Sequence, residues 1–155
     1  MHVLLGTDGS EIALDAARRG LALLGEATKI TLLTVVSDLP ADTGGGIEGP
    51  IYTPEQEEDL RRSETEHANR SLRDTRALVE PLAPKATIDQ RIETGDAAAT
   101  ICLVARDLGV DVVVIGSHGK GFLSRVLLGS VSEHVTRHAP CPVLVVRSVA
   151  EHDHS

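Results

Sequence analysis

The sequence predicts an α/β protein: a single domain built as a doubly wound, open, parallel five-stranded sheet with helices on both faces. Three observations carry this. Short runs rich in β-branched and aliphatic residues recur along the chain: "HVLLGT", "KITLLTVVS", "KATIDQRIET", "DVVVIG" and "CPVLVVR". Between successive runs lie segments whose apolar residues return at helical spacing. The length of 155 residues, 41% hydrophobic and 25% charged, suits one soluble domain with a core of its own.

The elements follow in order. Residues 2 to 7 form a first strand, punctuated by "DGS". Ser10 caps the first helix and Glu11 sits in its first turn, where the helix dipole favours a carboxylate. Ile12, Ala13, Ala16, Ala17, Gly20, Leu21 and Leu24 make its apolar face, and Gly25 ends it. Residues 29 to 37 are the second strand. The Gly- and Pro-rich stretch 38–53 reads as a mobile loop. Thr53, Pro54 and Gln56 give the next helix a cap, a first-turn proline and a capping box. That helix runs to about Val79 with a thin apolar stripe of Leu60, Ala68, Leu72 and Val79, as expected of a solvated surface helix.

Alternation of Ala86, Ile88, Gln90 and Ile92 with polar neighbours in 85–94 predicts a half-exposed strand at a sheet edge. Gly95 turns the chain, Asp96 caps a third helix carrying Ile101, Val104, Ala105 and Leu108, and Gly109 ends it. "DVVVIG" reads as a strand buried on both faces, and "FLSRVLLG" as a short additional helix. Ser130 to Glu133 has the form of a capping box opening a last helix, stopped by Ala139-Pro140 before the final strand, 141–147. The domain spans 1–148, with 149–155 a flexible tail.

Composition excludes several functions. Tyr52 and Phe122 are the only aromatic residues, so the core is aliphatic and no stacking platform for single-stranded nucleic acid is available. A net charge of −8 disfavours nucleic acid and anionic membrane surfaces as partners. Cys102 and Cys141 stand far apart with no CxxC, which suits free thiols in a reducing compartment. No basic, apolar leader opens the chain and no apolar run reaches membrane-spanning length, so a cytoplasmic protein is expected.

The informative stretch is "VVVIGSHGKGFLSRVLLGSVSEHV", where a buried strand is followed by Gly116, Gly119, Gly121 and Gly129 and then a helix start. Open sheets of this class bind ligands at the carboxyl ends of their strands, and the first and fourth strands end near Asp8 and Gly116. Small residues leading into a helix N-terminus make an anion site, and Lys120 and Arg125 add positive charge to an acidic chain. A phosphate group is the natural occupant; the bland alternative is that the glycines only make tight turns and that Asp8 is only a turn residue. GxxxxGK[ST] is absent, because Gly121 follows Gly119-Lys120, and so is GxGxxG.

The spacing present is Gly116-x2-Gly119-x9-Gly129-Ser130. It resembles the ATP-binding motif of the universal stress protein family. The resemblance extends over the whole chain, through "HVLLGTDGSEIALDAA", "ITLLTVVSD" and "DVVVIGSHGKG…LLGSVSEHVTRHAPCPVLVVR". It implies strand order 3-2-1-4-5 and ATP lying across the ends of strands 1 and 4. By position it implies that Asp8 and Val35 (or its neighbour Val36) hold the adenosine end, and that Gly116, Gly119, Gly129, Ser130 and Val131 line ribose and phosphates. Lys120 and Arg125 are candidates for neutralising phosphate charge, with Mg²⁺ entering through the phosphates.

The resemblance also implies a homodimer through the last strand. There Val143, Leu144, Val145 and Val146, closed by Arg147, leave an apolar edge uncovered. His134 and His138, four apart, read as surface residues rather than metal ligands, since no third ligand is evident. No catalytic residue is assigned. The leading expectation is an ATP-binding signalling protein in the stress response, acting on an unidentified protein partner with little or no hydrolysis. A slow ATPase and a dimeric scaffold with a vestigial pocket are the alternatives.

Overall fold

The computed structural model describes residues 1–38, 51–118 and 128–147. Among the described residues nine elements alternate: β1 (His2–Gly6), α1 (Glu11–Leu24), β2 (Lys29–Val36), α2 (Pro54–Val79), β3 (Thr87–Thr94), α3 (Ala97–Leu108), β4 (Val112–Gly116), α4 (Ser130–His138) and β5 (Val143–Val146). The strands form one sheet in the order β3-β2-β1-β4-β5, and every adjacent pair is parallel. The chain winds outward from β1 through β2 to β3, then crosses back to β4 and β5. The order therefore reverses between β1 and β4, where the carboxyl ends leave a crevice.

Strand pleating sorts the core into two layers. Val3, Leu5, Ile30, Leu32, Val112 and Val114 face α1 and α2, whose Ala16, Ala17, Leu21, Leu72 and Val79 cover them. Leu4, Leu33, Val113 and Ile115 face α3 and α4 and meet Ile101, Val104, Ala105 and Val135. Gly20 lets α1 lie low on the sheet: a Cβ there would come within 2.7 Å of Val114 Cγ1. β3 is a half-exposed edge whose Asp89 pairs with Lys29 at 3.1 Å.

Most helix ends obey local chemistry. Ser10, Thr53 and Asp96 cap α1, α2 and α3, and Thr53 with Gln56 closes the full capping box. Gly109 ends α3 in the left-handed conformation. Two expectations are corrected. α4 begins one residue earlier than its capping box implied: Gly129 is the N-cap, Ser130 is already helical, and among the described residues no side-chain cap bond is made. The Glu133 carboxylate pairs instead with Arg137 at 2.9 Å, and the Glu133 amide bonds the Gly129 carbonyl at 3.0 Å.

Leu60 is also not part of the buried stripe of α2; it is exposed, and burial on this helix begins at Ala68. The cause is length. A helix of 26 residues spans about 39 Å, whereas the eight-residue strand beside it spans about 26 Å. The first turns of α2 therefore have no sheet beneath them. Most of "FLSRVLLG", most of the 38–53 loop and all of the 149–155 tail lie outside the described residues.

Candidate functional site

Three segments meet in the crevice. The first is the turn after β1. Its Asp8 Oδ1 accepts the Ser10 amide at 2.9 Å, and Ser10 Oγ in turn accepts the Ala13 amide at 3.2 Å. Gly9 sits at φ +75°, where an L side chain is strained, and a Cβ would lie 2.6 Å from Ser71 Oγ. The second segment is the exit of β4, Gly116 to His118. The third is the start of α4, latched to that exit: the Ser117 carbonyl accepts the Gly129 amide at 2.7 Å and the Ser132 hydroxyl at 2.8 Å. The latch explains the glycine. A Cβ at Gly129 would meet that same carbonyl at 3.2 Å and His118 Cα at 3.4 Å.

Between them lies a cleft of about 290 Å³. Leu33 and Val35 from β2, Ile101 from α3 and Ile115 from β4 supply apolar walls, while Thr7, Asp8, Ser130 and Ser132 supply polar groups. No side-chain cap bond is present at Gly129, so among the described residues the first-turn amides of Ser130, Val131 and Ser132 have no acceptor, an arrangement that favours an anion. An apolar cleft that carries both a carboxylate and a helix start suits a ligand with an apolar ring and an anionic tail.

The sequence-derived site residues Asp8, Val35, Gly116, Gly129, Ser130 and Val131 all line this one cleft. Gly119, Lys120 and Arg125 lie outside the described residues. Val36 does not line it; with Asp8, Val35, His67 and Arg70 it borders a neighbouring hollow of about 470 Å³ against α2. Gly95 makes the turn into α3.

Sequence reasoning missed Thr7, Ile101, Ser132 and the wall made by Leu33 and Ile115. Thr7 adjoins Asp8 and could have been found from the strand end. Ser132 gave no signal, because a serine in a helix reads as a surface residue until its neighbours are known.

Other chemistry is limited. Burial pushes the Cys102 and Cys141 thiols up from their ordinary value, away from the reactive thiolate. His134 and His138 stack with ring centroids 4.2 Å apart. Among the described residues no group of three or more His, Cys, Asp or Glu is placed to hold a metal ion, and no helix is long and apolar enough to cross a membrane.

Comparison with known proteins adds identity to this geometry. The family model described as the universal stress protein family matches residues 1–147. Universal stress protein MJ0577 of Methanocaldococcus jannaschii is 31% identical over 94% of this chain and 93% of its own length. A solved structure of MJ0577 superposes with a TM-score of 0.76, covering 95% of both chains. The structure of universal stress protein UspA from Lactobacillus plantarum gives 0.75 at 26% identity, over 95% of this chain and 97% of that one. A universal stress protein solved in complex with cAMP shares the fold at 23% identity, with a TM-score of 0.64 over 94% of this chain and 96% of its own.

Proposed function

The chain belongs to the universal stress protein family, and on that premise we propose that it binds ATP in the β1–β4 cleft as a nucleotide-responsive module of a stress response. The observation that carries the proposal is the convergence of Asp8, the apolar walls and the uncapped start of α4 on one cleft. The adenine and ribose lie against Leu33, Val35 and Ile101, with Asp8 accepting hydrogen bonds from the nucleoside. The phosphates meet the first-turn amides of α4 and the Ser130 hydroxyl, with Lys120 and Arg125 adding positive charge. When bound, Mg²⁺ would neutralise phosphate charge and be held chiefly by the phosphates.

Turnover is slow or negligible in this reading. Asp8 is the one carboxylate among the described lining residues, and it serves the nucleoside rather than an attacking water. The functional unit is a homodimer paired through β5: Val143 to Val146 form a sheet edge, and strand pairing about a two-fold axis satisfies its open backbone groups.

Calorimetric titration with ATP, ADP and adenosine tests the site. ATP is expected to bind more tightly than adenosine, because an anion site is worth nothing to an uncharged ligand. Equal affinities would remove the phosphate end, and no binding of any of the three would remove the proposal. Sedimentation equilibrium at micromolar concentration tests the dimer, which a monomer with and without ATP would overturn.

A further inference from the structure

The β1–α1 turn is tied to α2 by the hydroxyl groups of Ser71 and Thr75, neither of which lines the cleft. Ser71 Oγ donates to the Asp8 carbonyl at 3.0 Å and shares that proton with its own helix through the His67 carbonyl, also at 3.0 Å. Thr75 Oγ1 donates to the Ser71 carbonyl at 2.7 Å. A hydroxyl has one proton, so at the 2.9 Å contact between Thr75 Oγ1 and Thr7 Oγ1 the donor is Thr7. The Thr7 oxygen then accepts the Gly9 amide at 3.1 Å, and Thr34 of β2 donates to the Thr7 carbonyl at 2.9 Å.

The direction of every bond is thus fixed, from the Gly9 amide through Thr7 and Thr75 into the main chain of α2. Thr75 and Ser71 are 0% and 2% exposed, so no water replaces a lost partner, and a buried hydroxyl left without one is costly. A Cβ built at Gly9 would lie 2.6 Å from Ser71 Oγ, so glycine is what lets the turn lie this close to α2.

We propose that Thr75 and Ser71 are positioning residues for the cleft: through this hydroxyl chain α2 holds the turn, and with it Asp8, in the geometry a nucleoside meets. The nucleotide part of this rests on the ATP-binding reading above; the hold on the turn does not.

Two substitutions at one position separate the hydroxyl from its packing. Thr75→Val keeps the shape and removes the hydroxyl, whereas Thr75→Ser keeps the hydroxyl and removes a methyl group. In the ligand-free protein, amide exchange at Gly9 and Ser10 is expected to rise about tenfold in Thr75→Val, the size of one lost buried hydrogen bond, and to stay within about twofold of wild type in Thr75→Ser. ATP and adenosine should both weaken in Thr75→Val by about the same tenfold, because the perturbed end is the nucleoside end; Thr75→Ser should bind both like wild type. Ser71→Ala is expected to repeat the Thr75→Val pattern. Equal exchange in the two Thr75 variants, or faster exchange in Thr75→Ser, would show that packing alone matters and overturn the proposal. A wild-type protein that binds no nucleotide would sink the ATP-binding reading, while the exchange contrast would still decide whether α2 holds the turn.

Discussion

Two helices start at the same end of the sheet, on neighbouring strands, and they are finished in opposite ways. α1 follows β1 with a side-chain cap: Ser10 Oγ accepts the Ala13 amide, Asp8 accepts the Ser10 amide, and Ser71 donates to the Asp8 carbonyl. α4 follows β4 with a glycine at its cap and, among the described residues, no side-chain cap bond. The Ser132 hydroxyl in its first turn donates to the Ser117 and Gly129 carbonyls. A helix start can be closed for stability or left open for an anion, and this chain does one on each side of the same cleft. A nucleotide, with a neutral end and a charged end, matches that asymmetry.

The contrast can be broken most severely at Gly9. Any Cβ there enters the left-handed region and collides with Ser71, so Gly9→Val is expected to cost about 3 kcal/mol or more in chemical denaturation. A loss under about 1 kcal/mol would mean the turn is far softer than its bonding suggests. At the open start, Ser130→Glu adds a carboxylate to an exposed first-turn position. Stability should hold or rise by about 0.5 kcal/mol, since the helix dipole favours the charge. ATP affinity should fall about thirtyfold through repulsion of the phosphates, and adenosine should be nearly unaffected. Loss of both ligands alike would place the phosphates elsewhere.

Removing the cap of the closed start by Ser10→Ala should cost about 1 kcal/mol in stability and leave ATP binding within about twofold, the reverse of the pattern at Ser130.

The smallest effect lies at the far end of the sheet and serves as a control for both. Burial, and then the Lys29 charge, lower the His2 pKa below its ordinary 6.5; its ring bonds Thr31 Oγ1 at 2.9 Å. The unfolded chain therefore binds a proton at a pH where the folded one does not yet. Stability is full above about pH 6.5 and falls slightly as pH drops through the lowered value. His2→Gln should flatten that slope without altering ATP affinity at pH 7.5 or so, and an unchanged slope would assign the pH dependence to other groups.

How much of this was legible depends on whether the determining forces are local. Ser10, Thr53 and Asp96 announce helix starts because a cap acts within three residues of chain. Sheet order and the site positions came from the family resemblance, and Asp8, Val35, Gly116, Gly129, Ser130 and Val131 all line one cleft beside the reversal of strand order.

The illegible parts are those settled by contacts across the fold. The start of α4 moved to Gly129 because the latch to Ser117, twelve residues back, governs it rather than the serine that follows. Ser71, Thr75 and Thr34 read as polar interruptions of apolar patterns, and only the assembled fold reveals that each is buried with a partner. Leu60 failed because a periodic stripe says which side of a helix is apolar but not how far the surface beneath it extends.

That overhang divides α2 energetically. From Pro54 to Glu66 no residue is buried, whereas Ala68, Ser71, Leu72, Thr75 and Val79 are. Among the described residues the outer half buries no side chain and is held chiefly by its capping box and helix propensity, and so short an isolated helix is marginal. It should open by itself, many times, for each global unfolding event. Trypsin applied to the native protein is then expected to cut after Arg61 or Arg62 well before it cuts after Arg70, Arg73 or Arg76 of the same helix. The clipped product should keep an intact sheet, so that α2 ages from its solvent end inward while the turn at Asp8 stays anchored.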